Sequence, residues 1–545
     1  MEISRRKVIA GLAVSGAMIP AAYYAGHKLK VHLEKDDGTP GEATVQLADL
    51  PLQRLANQLR GVWQLEFPDP GGGLEGLGLE GVEMFIDVGE RGRGMRGFID
   101  TAQNLRGDSP PRYRILGDLV SASVTQIRWR LLDRDSPRRS PLYEFTAVLE
   151  DIWAKFGVSD RDKLEGSFQR LDAPPPVNGT GLQFVARKLP FPEARETVPL
   201  NPAFLAWLVA PEHRLAHQLW HVSRDKWHRL SDDRRNALRG LGWQPGPANL
   251  ERDSRGRQKD SNGSGVDFLF MHRQMLSVAR SLGAPPSWAT LPLPQPPVEC
   301  NRRGFARYYD NHDGRSVPPA WLAPEDENYS AGVAAIKSAE TFYSNFQVWE
   351  SHYRDPQYLA QLTLGQFGSE LELTMHDWLH MCWASVPRDP ANGFPVPMAR
   401  DSVDFSERWF GAENDFLGDP FSSHVNPLFW GFHGWIDDRI EDWFDAHVRA
   451  HPGQVVRREL DGLEWFAQGP WVEIDQPWLG PSTHGCGPNP TAGMTANMTE
   501  MDAEVMKLAL HIANDEKDKV GGALVKVSNR PWYARNLPQM HVGKA

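Results

Sequence analysis

The sequence predicts an α+β chain of more than one domain, in which an antiparallel, barrel-like β-domain precedes a mainly helical one. Three observations predict it. Short runs that alternate apolar and polar residues, parted by turn residues, fill positions 51–195; from about 196 the apolar residues fall at helical spacing; and every pair of histidines four residues apart lies in that second part. Alternation with period two belongs to half-buried strands, and a period near 3.6 to helices packed on one face.

The bulk numbers leave room for this. The 545 residues are 41% apolar, ample for several cores. A net charge of −11 excludes the broad basic face that nucleic acid requires. Cys300, Cys382 and Cys486 lie far apart with no C-x-x-C pair, which excludes a sulfur-rich zinc or iron–sulfur site.

In chain order, residues 1–32 read as a leader. Ser4, Arg5, Arg6 and Lys7 precede an uncharged stretch from Val8 to Gly26, the pattern of a twin-arginine export signal. It implies the twin-arginine translocon as a partner and the periplasm as destination. No clear A-x-A cleavage site follows, so retention as an inner-membrane anchor stays open. No other apolar run reaches the roughly 20 residues of a membrane span. Residues 33–50 read as a linker. Positions 51–195 carry the β-like runs "GVWQLEF", "GVEMFIDVGE", "RYRILGDLVSASVTQIRWRLL", "YEFTAVLE", "KLEGSFQRL" and "GLQFVARKL", an antiparallel sheet or barrel. Residues 196–505 form the helical part, with further helical patterns at 265–282, 330–350, 370–384 and 426–450; 506–545 close the chain with a C-terminal helix and tail.

Eighteen histidines placed at random would give about 0.6 pairs at spacing four, and there are four: His213/His217, His217/His221, His376/His380 and His447/His451. On a helix such residues point the same way with Cβ atoms roughly 6 Å apart, close enough for one metal ion. His447/His451, in "DAHVRAHPG", has polar neighbours and no third partner, and reads as solvated surface. The others have company. "HQLWH" is followed some fifty residues on by His272 in "FLFMHRQML", and "MHDWLH" by His433 in "NPLFWGFHGWIDDRIEDW". Two histidines one turn apart, then one on a later helix, thus occurs twice. Any single one could be an ordinary core histidine, but two sets of three imidazoles on helices suit a borderline metal such as copper. Zinc also accepts imidazole, although no H-E-x-x-H supplies the base of a zinc hydrolase.

These motifs resemble the type 3 copper proteins: tyrosinases, catechol oxidases and arthropod haemocyanins. The resemblance covers roughly 200–445. "HQLWH" and "FLFMHRQML" look like the first copper site; "MHDWLH" and "NPLFWGFHGWIDDRIEDW" look like the second, where Pro427, Phe429, His433 and Asp437 fit the family pattern and Asn426 replaces its aspartate. The resemblance implies a helical-bundle site for two copper ions with O2 as co-substrate. Its ligands would be His217, His221, His272, His376, His380 and His433, with His213 and His228 as alternatives in the first set. It implies a tyrosinase (monophenol monooxygenase and o-diphenol oxidase) acting on a phenolic small molecule or peptide. With the export signal and β-rich leader, the chain is similar to a bacterial subgroup of periplasmic tyrosinases that mature the chromophore of pyoverdine siderophores. That implies a phenolic siderophore precursor as substrate; a homodimer is compatible with it. A catechol oxidase, an oxygen carrier of the same family, or an exported non-copper metal-binding protein are the alternatives.

In some tyrosinases an asparagine after the first histidine of the second set, with a nearby glutamate, positions the water that accepts the phenol's proton. Here that position is Asp377, a carboxylate that could act directly, with Glu370 and Glu372 one or two turns upstream as candidates. A solvated helix face would explain all three as well. In the tail, "NRPWYARNLPQ" places Tyr533 in a Pro-bounded segment. Its phenol could sit where substrate would, as an inhibitory lid, or the segment could be a surface strap.

Overall fold

In the computed structural model the alternating runs close on themselves. The structure describes the strands, almost all of residues 191–243, and 264–292, 345–391, 405–479 and 503–514, with a few short stretches between them. The leader's first 29 residues, His228 and the segment around Tyr533 lie outside the described residues. Where leader and linker meet, β1 (Lys30–Glu34) and β2 (Pro40–Thr44) pair as an antiparallel hairpin.

Eight strands follow: β3 (Gly61–Glu66), β4 (Val82–Val88), β5 (Met95–Thr101), β6 (Tyr113–Leu119), β7 (Gln126–Asp133), β8 (Pro141–Glu150), β9 (Lys163–Arg170) and β10 (Leu182–Lys188). Each pairs antiparallel with the next, and β10 returns to β3, so the barrel is closed and leaves no edge strand. Alternate residues point inward: Trp63, Met84, Ile99, Trp129, Phe145 and Phe168 are all buried. Inside, Phe145 stacks between Trp129 and Phe168 with centroids 5.2 and 4.9 Å away, and Phe184 stands edge-on to Trp129 and Phe145. The strand the alternation did not reveal is β5. Its "MRGFIDT" sends Met95 and Ile99 into the barrel interior with Gly97 between them, buries Phe98 against Phe85 instead, and follows a Gly/Arg run that reads as turn.

The helical part is built from α1 (Pro202–Val209), α2 (Pro211–Lys226), α3 (Asp232–Gly240), α4 (Ser264–Ser281), α5 (Leu364–Leu371), α6 (Asp377–Trp383), α7 (Pro427–Ala450) and α8 (Ala503–Asn514), with shorter helical pieces between. Helix α4 meets α5 backbone to backbone. A Cβ on Gly265 would lie 2.2 Å from the Gly365 carbonyl oxygen, and one on Gly368 2.2 Å from that of Gly265, so only glycine permits this approach. Two buried ion pairs tie the helices further. Arg224 on α2 holds Glu372 through both carboxylate oxygens, and Arg273 on α4 donates to Asp437 on α7 at 2.7 Å. Helix α8 closes the outside of α2, setting Met506 and Leu510 in one core with Leu215 and Leu219. Among the described residues no helix is long and apolar enough to cross a membrane.

Candidate metal centre

Four segments bring six imidazoles together. Helix α2 carries His217 and His221 with ring centroids 4.9 Å apart, and α4 carries His272. The predicted helix at 370–384 is broken by a π-turn, Glu372–His376, immediately before α6; it carries His376 and is followed by His380 one turn on. Wide turns of this kind recur at functional sites. Helix α7 carries His433. The two sets touch: His272 stacks on His433 with centroids 4.6 Å apart and lies 5.6 Å from His376. The ligand nitrogens of His217, His221 and His272 lie within 4.8 Å of one another, as do those of His272, His376 and His433, and either set could hold a metal ion. His380 joins the second: Nε2 of His376 is 3.0 Å from Nε2 of His380 and 3.1 Å from Nε2 of His433. Metal–nitrogen bonds of about 2.0–2.1 Å in a tetrahedral site would set such nitrogens about 3.3 Å apart.

Backbone carbonyls decide which nitrogen faces inward. A carbonyl only accepts, so the ring nitrogen beside it must carry the proton and the opposite nitrogen keeps its lone pair. Nδ1 of His272 donates to Phe268 O (2.9 Å) and Nδ1 of His433 to Phe429 O (2.8 Å), each four residues back on its own helix. Nδ1 of His380 donates to Leu417 O and Nδ1 of His217 to Pro420 O, both at 2.6 Å. All four therefore present a bare Nε2 to the centre. Nε2 of His217 and of His272 are buried without a hydrogen-bond partner. Between His380 and His433, His376 could donate to one Nε2 and not to both. Each buried nitrogen left without a partner costs about 1–3 kcal/mol, which a shared cation would offset. Burial keeps the rings neutral: His221, His272, His380 and His433 lie well below the usual histidine range, and His217 is pushed down to about 3. Neutral imidazole is the form that binds metal.

The other site predictions fall in three places. His213, the alternative one turn before His217, stacks face to face on His424 with centroids 4.4 Å apart, behind the nest. Glu372 is the buried partner of Arg224 and Glu370 accepts from Tyr358 Oη at 2.7 Å, while Asp377 Oδ1 lies 3.4 Å from Nδ1 of His376. His447 and His451 are a correction. They are not solvated surface: His447 is fully buried, its Nε2 facing the carbonyls of Leu359 and Leu362, and Nε2 of His451 faces that of Ala360 (2.9 Å). Both face carbonyls at or just past the end of the short helix Pro356–Leu359. Trp443, one turn before His447 on α7, packs on it, and Trp471, which packs on both rings, comes from a later segment of the chain.

Sequence reasoning missed His424, whose Nδ1 lies 3.1 Å from Nδ1 of His217, and the carbonyls of Leu417 and Pro420. No residue-type signal marks a carbonyl. Asn426 does have a physical reading: its side-chain oxygen caps α7 at Leu428 N while its Nδ2 donates to Asp415 O (3.2 Å), a bond an aspartate could not make. Compared with protein-family models and with curated proteins, the chain matches none.

Proposed function

We propose that the chain is a copper-dependent oxidase of the tyrosinase kind, holding two copper ions among the six imidazoles and using O2 to hydroxylate a phenol and oxidise the resulting catechol. The observation that carries this reading is the convergence of six buried imidazoles, at least four with Nε2 turned inward by a carbonyl. The donor set supports copper. It is all nitrogen and carries no carboxylate, so a monovalent soft ion is desolvated there at less cost than a dication without a counter-charge. When bound, the copper pair supplies the redox chemistry with O2.

The chain's own residues position and exclude. Phe429 lies against His433 at 3.6 Å and Phe268 against His272 at 4.6 Å, keeping water from the ring faces. Of the three acids, Glu372 is committed to Arg224 and Glu370 to Tyr358. Asp377 lies against a ligand ring with 19% of its side chain exposed, which makes it the acid best placed to hold the Nδ1 proton of His376 or to take a phenol's. A phenolic siderophore precursor as the natural substrate, and export by the twin-arginine route, rest on the resemblance in sequence alone.

The test is copper content and oxygen transfer together. Wild type should carry two copper ions per chain and His376→Ala or His433→Ala no more than one. With a tyrosine-type monophenol under 18O2, the catechol product should gain one labelled oxygen. Full copper in both variants would sink the site, and an unlabelled or absent catechol would sink the monooxygenase reading.

A further inference from the structure

Each set of imidazoles has one ligand oriented by its own helix, His272 or His433, and one oriented from outside, His217 or His380. The outside partners are three residues apart on one loop: Leu417 O serves His380, and Pro420 O serves His217. The same loop ends at His424. Its Nε2 faces Leu208 O (3.1 Å) and so carries the proton, leaving its Nδ1 as the second, longer acceptor of the one Nδ1–H that His217 gives mainly to Pro420 O.

The loop is knit into one body. Ser422 Oγ donates to Phe416 O and Phe421 N to Asp419 Oδ1, both at 2.9 Å, and Asn414 Nδ2 donates to Trp409 O at 2.7 Å. Two arginines anchor it. Arg214, fully buried three residues before His217, donates to the carbonyls of Gly411, Asn414 and Phe421 at 2.6, 2.9 and 3.2 Å. Arg195, at the partly exposed edge, pairs with Asp415 at 2.5 Å and donates to Glu413 O. Helix α2 therefore holds the loop, and the loop holds a ligand of each set.

We propose that residues 411–424 are a single orienting frame for both metal positions, so that loading one position raises the affinity of the other. The proposal rests on the two-ion reading above. A cation on Nε2 of His217 makes its Nδ1–H a more positive donor and tightens its bond to Pro420 O. Because the loop moves as one body, seating Pro420 O on His217 also seats Leu417 O on His380, and the second ion no longer bears the cost of that seating.

Anaerobic Cu(I) titration of the full chain against a chromophoric Cu(I) chelator tests this. His221→Ala and His433→Ala each leave one position and give its intrinsic affinity. In wild type the product of the two stepwise constants should exceed the product of those intrinsic constants by roughly fivefold or more. Arg195→Gln, placed on each single-position background, should weaken both by about 10–100-fold. In the otherwise wild-type chain it should bring the ratio of products towards one, and Arg214→Lys should do the same more strongly. If Arg214→Lys loses its cooperative unfolding transition, the milder Arg195→Gln decides alone. A wild-type ratio of one, or an Arg195→Gln effect confined to one position, would overturn the frame and leave the two-ion reading standing. Fewer than two Cu(I) in wild type would overturn both.

Discussion

Inside the barrel, Trp129, Phe145 and Phe168 lie flat on one another and Phe184 stands edge-on to two of them. At the centre of the helical part, rings meet at similar separations, but they are imidazoles: His272 on His433, His376 against His380 and His433. Phenyl rings pack without further partners, because leaving water is itself the driving force, and among these four rings Trp129 alone keeps a buried N–H without a partner. Imidazoles in the same crowding point lone pairs at one another. Such a nest needs carbonyls to fix each tautomer, and its geometry could hold a cation in the middle. The barrel core leaves one such N–H; the nest leaves several lone pairs that a bound cation could satisfy.

The sharpest way to break this contrast is to remove one imidazole. His433→Ala should reduce bound copper from two ions to at most one and abolish phenol oxidation, with thermal unfolding still cooperative; unchanged activity would dismiss the nest as an ordinary core. Phe145→Ala should do the reverse. Opening a cavity among buried aromatics costs about 3–5 kcal/mol in chemical denaturation, yet copper per chain should stay the same. Copper loss in that variant would mean that the barrel contributes to the site. Arg224→Met leaves the Glu372 carboxylate buried and unpaired, at a cost of about 3–5 kcal/mol, and should also weaken Cu(I) binding, since Glu372 lies one turn before His376. Unfolding and Cu(I) titrations on one preparation check both effects.

Proton uptake separates the regions more gently. In the metal-free protein, His217, His221, His272, His380 and His433 have folded pKa values lowered by burial. Between those values and the unfolded value of about 6.5, the unfolded chain binds more protons. Stability is then full above about 6.5 and declines as the pH falls below it, by up to about 1.4 kcal/mol per pH unit for each histidine. Metal-free Tm should accordingly drop between pH 7.5 and 5; a flat profile would show that the rings are not held neutral in the fold. The smallest effect concerns the start of α7. Asn426→Ala removes a cap, about 1 kcal/mol by denaturant titration, whereas Asn426→Asp keeps the cap but turns an acceptor oxygen on the Asp415 carbonyl in place of the donor.

Much of this was legible because it is local. Alternation marked seven of the eight barrel strands, and spacing four put His217 with His221 and His376 with His380, because one turn of helix carries side chains to the same face whatever surrounds it. His272 and His433 need only the carbonyl four residues behind them, so their orientation too is written in their own helices.

Spacing could not tell that His447 and His451, set out like the pairs of the candidate centre, would instead face carbonyls at a helix end. Nor could it show that Glu372 would be claimed by Arg224, 148 residues earlier. Tertiary structure alone decided these, along with the loop carbonyls that turn His217 and His380 inward. The physical reason is one of reach. Side-chain identity and helical period act over a single turn, whereas the direction of a carbonyl and the pairing of a buried charge depend on segments that only the folded chain brings into contact.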